Sequence, residues 1–255
     1  KTISNFSGSA GFAIILKKKN YLFVDGRYTL QAEKESGKNF KIIEIHKNLP
    51  SKIMKNLTLG LNPKLFTKKQ IKYFFSYKIK FNLINTDLID QIHKNKIYKS
   101  KPFFSLKDEI VGESHVSKIK KIINFIKMNK VDYLFISAPE NVAWLLNIRG
   151  DDNPNSPIPN CRLVIGKNKE FFFISNKSKA YKLIKEKKIK NNQVIEPEEF
   201  DNIINNLKGK NFIIDSKSCS IFYENMIKSK FKIENKEDPC YLLKSIKNKT
   251  EISHT

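Results

Sequence analysis

The sequence predicts an α/β protein made of two similar domains, each a mixed β-sheet flanked by helices. Short apolar runs typical of strands alternate with amphipathic helical segments along the whole chain, and the second half repeats the style of the first. A chain of 255 residues can bury one large core or two moderate ones. We place the domain boundary between Tyr98 and Glu113, a segment that contains Pro102 and Gly112.

The first half opens with a predicted β-hairpin, in which apolar runs at 11–16 and 21–25 flank a lysine-rich turn. The small residues at 7–11 lack the Gly-Lys-Ser/Thr ending and the following helix of a phosphate loop, so they indicate a close backbone approach at a strand start. Beyond the hairpin we predict helices at 28–36, 50–56 and 67–77, and strands at 40–45, 57–62 and 81–84.

The second half begins with an apolar helical stripe that predicts a helix with its lysines outside. The stripe is Val116, Ile119, Ile122, Ile123 and Ile126, and the lysines are Lys118, Lys120, Lys121 and Lys127. A buried strand at 131–137 follows. Ser137 and Glu140 have capping-box spacing, which predicts a helix to Asn147 from which Trp144 packs into the core.

The rest of the second half continues the alternation. We predict a hairpin from strands at 162–165 and 170–174. Helices at 180–187, 197–207 and 220–228 alternate with strands at 212–215 and 231–234.

The formal charge of +23 is carried by lysines spread along the chain. Nucleic-acid sites concentrate charge and use arginine for base edges, so we expect no nucleic-acid partner. No apolar run reaches the length that spans a bilayer, so we expect no membrane partner. Cys161, Cys219 and Cys240 are far apart in sequence, which predicts buried, unpaired thiols and a cytoplasmic location.

Of the 48 basic residues only three, Arg27, Arg149 and Arg162, are arginine. Where a basic position defaults to lysine, an arginine indicates a need for a planar, forked donor to a carboxylate. Arg149 follows a predicted helix and opens a proline-rich loop, AWLLNIRGDDNPNSPIP at 143–159. In the alternative interpretation, Arg149 only pins Asp151 or Asp152 in a stiff turn.

Arg27 lies in the sequence Asp25-Gly26-Arg27-Tyr28, directly after the predicted hairpin. A site role and a structural ion pair with Asp25 or Glu33 are both open for it.

The sequence predicts no metal site and no catalytic residue within this chain. A hydrolytic metal site needs several His, Asp or Glu side chains at one point. The four histidines, His46, His93, His115 and His254, have no partner histidine at helical spacing, and neither a His-Glu-x-x-His motif nor a nucleophile elbow is present.

Four segments, at 6–35, 87–92, 137–159 and 243–252, together resemble the amino-terminal region of the Xaa-Pro aminopeptidases of the aminopeptidase P type. They read FSGSAG with DGRYTLQA, DLIDQI, SAPEN with AWLLNIRGDD, and LKSIKNKTEI, in the family's order. The chain departs from the family pattern at Ser156 to Pro159, where Asn-Pro-Val is common, and at His93, where the family has tryptophan.

The resemblance implies two creatinase N-terminal-like domains, at 1–108 and 109–244, with the first truncated at its start. It implies that 245–255 is a linker into a pita-bread catalytic domain that this chain lacks. That domain would hold two divalent metal ions, commonly manganese, and a bridging hydroxide would attack the bond before a penultimate proline. We do not transfer a role to His254, because the family's functional histidine should lie beyond Thr255.

The resemblance further implies the accessory part of a cytoplasmic metallo-aminopeptidase that acts on Xaa-Pro peptides and forms a homodimer. We expect this part to be inactive alone, and Arg27, Arg149 and Asp152 to face the catalytic cleft or to fix the loops that do. One alternative is a non-enzymatic binding module, as in a histone-chaperone subunit whose peptidase-like domain has lost its metals. Another is part of a prolidase or creatinase relative, although these typically carry one preceding domain.

Overall fold

The computed structural model describes residues 2–76, 79–86, 88–92, 101–153 and 155–254. The described residues of Lys1–Asn62 and Lys69–Lys96 form a first compact unit, and those of Pro63–Lys68 and Ile97–Thr255 form a second. Asp87 of the segment at 87–92 and His93 directly after it lie outside the described residues. So do Tyr77, the last position of a predicted helix, and Tyr98, the start of the boundary segment. The domain bounds proposed at 108 and 244 stay predictions.

The first unit contains two small sheets. Its strands are β1 Gly11–Ile15, β2 Asn20–Val24, β3 Lys41–Glu44, β4 Leu57–Leu61 and β5 Ile79–Leu83. Its helices are α1 Thr29–Ser36, α2 Pro50–Ile53, α3 Lys68–Phe75, whose first residue belongs to the second unit, and α4 Leu88–Ile92. Strand β2 pairs antiparallel with β1 and parallel with β3, which confirms the hairpin, and β4 pairs parallel with β5.

An aromatic core holds the first unit together. Phe23 is fully buried and stacks on Phe12 with ring centroids 5.1 Å apart, while Phe75 meets Phe81 edge-on at 5.0 Å. At the start of β1, a Cβ on Gly11 would lie 2.9 Å from the backbone oxygen of Phe23. The small-residue cluster therefore permits the close backbone approach that the sequence predicted.

The second unit contains a mixed sheet in the order β11-β10-β9-β7-β12-β13 and a short pair formed by β6 and β8. Its strands are β6 Phe104–Ser105, β7 Tyr133–Ile136, β8 Ile148–Arg149, β9 Arg162–Gly166, β10 Phe171–Ile174, β11 Val194–Ile195, β12 Asn211–Ile214 and β13 Lys232–Asn235. Its helices are α5 Asp108–Val111, α6 His115–Met128, α7 Pro139–Leu146, α8 Lys177–Lys185, α9 Phe200–Asn206, α10 Ile221–Lys228, α11 Pro239–Ser245 and α12 Lys249–Ser253.

Both faces of the larger sheet are covered, because alternate residues of its central strands enter two different cores. Leu134 and Leu163 pack with residues of α6, α7 and α8, whereas Phe135 and Val164 pack with residues of α9 and α10. The predicted α/β architecture with mixed sheets flanked by helices is confirmed. Trp144 is partly buried against the first of these cores, as predicted.

Two local predictions are wrong. The sequence predicts Lys118 on the outer face of its helix, but the side chain is buried, with 1% of its surface exposed. The capping box of Ser137 and Glu140 does not form: Ala138 caps α7 without a side-chain hydrogen bond, and the Ser137 hydroxyl instead pairs with that of Ser218 at 2.7 Å.

The start of α10 is capped by a segment from far earlier in the chain. The backbone N–H groups of Ile221 and Phe222 donate to the carbonyl oxygens of Phe66 and Pro63, at 2.9 and 3.0 Å. These bonds satisfy donors that a helix N-terminus leaves without partners. They also explain why Pro63–Lys68 belongs to the second unit.

Candidate functional site

The Arg149 loop starts where helix α7 ends at Asn147. Asn147 adopts the left-handed conformation, with φ 53° and ψ 48°. Asparagine tolerates this conformation better than most residues. Its Nδ2 donates to the carbonyl oxygen of Glu113 at 2.8 Å, and its backbone oxygen accepts from the N–H of Leu106 at 2.8 Å. Asn147 therefore directs the chain from α7 into β8.

The residues around Gly150 close the loop tightly. Strand β8 pairs antiparallel with β6, so that Arg149 lies opposite Phe104, and the N–H of Gly150 donates to Pro157 at 3.1 Å. A Cβ on Gly150 would lie 2.8 Å from the Phe103 ring and 3.0 Å from the Pro159 Cα. Any larger residue here would force these neighbours to shift, because the chain passes directly against them.

The Arg149 side chain is half-buried, and its Nη1 donates to the carbonyl oxygen of Ile148 at 2.9 Å. Burial lowers the pKa of its guanidinium. Within the described ranges, no carboxylate pairs with Arg149. The interpretation that Arg149 pins Asp151 or Asp152 is therefore wrong.

Lysines hold both of these aspartates. Asp152 accepts from Lys179 Nζ and from the backbone N–H of Asn160 at 2.6 Å, and only 12% of its side chain is exposed. Asp151 pairs with Lys101 at 3.0 Å and is more exposed. Asp152 thus joins the two ends of the loop to helix α8. Arg149 lies in the same loop but is not bonded to Asp152.

Arg27, in the first unit, has a different environment. Its Nε donates to Asp25 Oδ1 at 2.8 Å, and 76% of its side chain is exposed. The hydrogen bond from the Arg27 side chain, supported by one from its backbone N–H, lowers the pKa of the Asp25 carboxyl to about 2. The structure contains the Arg27–Asp25 ion pair that the sequence left open.

Lys118 is the residue near this loop that sequence reasoning missed. Its Nζ donates to the carbonyl oxygen of Trp144 at 3.0 Å and to Asn147 Oδ1 at 2.7 Å, and lies 4.1 Å from the centroid of the Trp144 ring. Burial lowers the pKa of its ammonium, while Glu251 and Glu113 partly oppose that change. A signal was present in the sequence, since Lys118 precedes Ile122 by four residues and therefore shares its helix face.

Other chemistry is sparse among the described residues. They include no group of three or more His, Cys, Asp or Glu side chains arranged to hold a metal ion. Cys161, Cys219 and Cys240 are free and buried, as predicted, and burial raises the pKa of each thiol. None of the described helices is long and apolar enough to cross a lipid bilayer.

A cleft of about 300 Å³ lies between the first half of α6 and the β9–β10 hairpin. It has an apolar floor that includes Ile119 and Phe171, and its rim includes His115 and Lys188. None of the four motifs contributes a side chain to it, so we do not assign it a role in the site.

Two family profiles match the chain. Both are described as the Creatinase/Prolidase N-terminal domain, and they cover residues 3–90 and 93–251. Together they match most of the chain, one for each half.

The chain also aligns with named relatives. It is 32% identical to Xaa-Pro aminopeptidase 1 of Dictyostelium discoideum, over 98% of this chain and 43% of the relative. It is 26% identical to Xaa-Pro aminopeptidase ApepP of Drosophila melanogaster, over 98% of this chain and 44% of the relative. The chain therefore spans less than half the length of these relatives.

The fold has a close counterpart among solved structures. The X-prolyl aminopeptidase of Caenorhabditis elegans, described as a cytosolic enzyme with a di-nuclear active site, matches 99% of this chain with a TM-score of 0.79. The match covers 44% of that protein, and the sequence identity is 19%, so it supports the fold alone.

Proposed function

Since the chain belongs to the creatinase/prolidase N-terminal domain family, we propose that it is the amino-terminal, accessory part of a Xaa-Pro aminopeptidase. The complete protein would release the first residue from peptides with proline in second position. The observation that carries this proposal is the alignment of 98% of the chain with 43% of a Xaa-Pro aminopeptidase at 32% identity. The four motifs in family order support it.

The metal chemistry belongs, in this proposal, to a catalytic domain outside the chain. The described residues offer no donor cluster for a metal, so none of them is given a step in the hydrolysis. Two divalent ions, manganese by resemblance, would activate water in that domain. We also propose a cytoplasmic location and a homodimer.

Arg149 is the residue proposed to contact substrate or to line its access path. A guanidinium has five N–H donors, and Arg149 directs Nη1 to Ile148. Arg149 is partly buried and has no carboxylate partner among the described residues. Its positive charge and its remaining N–H donors can therefore bind an acceptor that comes from outside this loop. The imide bond before proline has no N–H but keeps its carbonyl oxygen, which a guanidinium can bind as a donor. Asp152, through Lys179 and Asn160, would keep the loop in position.

The function is tested with the complete protein and a pair of peptides that differ only at position 2, proline against alanine. We expect cleavage of the proline peptide alone, loss of activity with a chelator, and recovery with Mn²⁺. We expect no cleavage by the 255-residue chain. Failure of the metal-loaded complete protein to cleave would favour the non-enzymatic binding module, and cleavage by the chain alone would refute the accessory role.

The role of Arg149 is tested by Arg149→Lys in the complete protein. We expect kcat/KM to fall about 10-fold or more, because lysine cannot reproduce a forked donor. Arg162→Lys is the matched control. Arg162 stacks on the Tyr223 ring, 4.8 Å from its centroid, and we expect less than about a twofold change there. Unchanged kcat/KM in a stable Arg149→Lys protein would remove Arg149 from the site.

A further inference from the structure

Lys118 is an unusual cation in this chain. Among the described residues no other lysine or arginine is as buried, although most of the chain's many lysines lie at the surface. A buried ammonium is costly unless its charge and its three donors are matched. The groups that match the charge and the donors of Lys118 therefore indicate its role.

The groups that bond to the Lys118 ammonium or face it directly lie at the end of α7. They are the Trp144 carbonyl oxygen, the Asn147 side-chain oxygen and the face of the Trp144 ring. The last carbonyl groups of a helix lack partners and carry the negative end of its dipole, which favours a cation there. The nearby Glu113 carboxylate is already bonded to Lys121 and Ser117. The ammonium is thus matched by a helix end, an amide and a ring, and the charges of Glu251 and Glu113 add to this.

The same groups determine where Arg149 lies. Asn147, which accepts from Lys118, is the left-handed residue at which the chain leaves α7, and Arg149 follows two residues later. The backbone of Asn147 also holds Leu106, next to β6, the strand that pairs with β8. A change at Lys118 would therefore reach Arg149 through Asn147 and the two backbone residues that follow it.

We propose that Lys118 is a positioning residue: its buried ammonium fixes the end of α7 and thereby the direction of the Arg149 side chain. It touches neither substrate nor metal. The expected effect of Lys118 on catalysis rests on the proposed function, whereas its expected effect on the conformation of the Arg149 loop does not.

The first measurement is a double-mutant cycle in the complete enzyme, using Lys118→Met and Arg149→Lys. We expect Lys118→Met to lower kcat/KM about 10-fold. In the Arg149→Lys background we expect it to lower kcat/KM less than about twofold, since the group it positions is already impaired. Lys120→Met, an exposed position on the same helix, is the control and should leave kcat/KM unchanged. Full activity of Lys118→Met, or effects that simply multiply, would overturn the proposal.

The second measurement is amide hydrogen exchange, which does not depend on catalysis. In Lys118→Met we expect the amides of Gly150 and Leu106 to exchange at least about 10-fold faster, while that of Ile165, in the central strand β9, is unchanged. Equal acceleration throughout the second unit would reduce Lys118 to a general stabilising role.

A second variant covers the case in which Lys118→Met does not fold. Asn147→Gly keeps the left-handed conformation but removes the side chain that joins Lys118 to the loop. We expect the same local acceleration of exchange, and unchanged exchange at Gly150 and Leu106 would contradict the proposal. If the complete protein cleaves no peptide, the exchange result still decides whether Lys118 positions the loop.

Discussion

The two arginine loops of the molecule carry the same residue type in opposite environments. Arg27, in the first unit, is largely exposed and bonded to a carboxylate two residues away. Arg149, in the second unit, is half-buried and contacts a backbone carbonyl, with no carboxylate partner in the described part of the chain.

This difference teaches that rarity of arginine in a lysine-rich sequence identifies candidates but does not rank them. The contribution of an exposed ion pair is small, since water screens it. A partly desolvated guanidinium without a carboxylate retains its attraction for an anion or a carbonyl group. Of the two, Arg149 is therefore the stronger candidate for a contact with substrate.

The largest effect is expected from Asp152→Ala in the Arg149 loop. It removes the acceptor of Lys179 and of the Asn160 N–H in a poorly exposed site, which should lower the free energy of unfolding by about 2 kcal/mol. The matched control is Asp151→Ala, where the exposed pair with Lys101 should contribute less than about 0.5 kcal/mol. Urea denaturation measures both, and equal small losses would mean that Asp152 does not hold this loop.

A smaller effect is expected from placing alanine at the glycine beside each arginine. In Gly150→Ala the new methyl meets the Phe103 ring and the Pro159 Cα, which should destabilise the second unit by about 1–2 kcal/mol. In Gly26→Ala the nearest atoms, at 3.1 Å or more, belong to the flexible end of Glu44, and we expect a change below about 0.5 kcal/mol. Thermal unfolding of the two variants compares the loops directly, and the reverse order would contradict the tight packing at Gly150.

The smallest effect is a pH dependence at Arg27. Asp25 has a folded pKa of about 2, below its ordinary value of 3.8, so its contribution to stability is present above about pH 4 and is lost as pH falls through 2. Arg27→Met should move the pKa of Asp25 back towards the ordinary value and weaken this acid sensitivity. Carboxyl NMR titration measures the shift, and an unchanged Asp25 pKa would show that Arg27 is not its cause.

The sequence was informative wherever a residue's position follows from its neighbours in the chain. The strand pairing of β1 with β2, and of β9 with β10, follows from apolar runs around short turns. The main helices follow from apolar periodicity. The motif at 137–159 identified the loop that the structure places between α7 and β9.

The errors arose where a distant segment decides the outcome. Lysine is normally outside a helix, but at Lys118 the end of α7 supplies acceptors and a ring that make burial possible. Ser137 has the spacing of a cap, yet Ser218 competes for its hydroxyl. The pairing of β8 with β6 joins two-residue strands more than 40 positions apart, too short to give a periodic signal.

The segment Pro63–Lys68 has a practical consequence for anyone who dissects this protein. It precedes the last helices and strands of the first unit in the chain, yet its carbonyl groups complete the N-terminus of α10 in the second. A polypeptide that starts at Lys101 would lack Pro63 and Phe66, and the first turn of α10 would lose two hydrogen-bond acceptors. A single cut therefore cannot divide the chain into two intact units. A shortened protein meant to contain the second unit should also keep Pro63–Lys68.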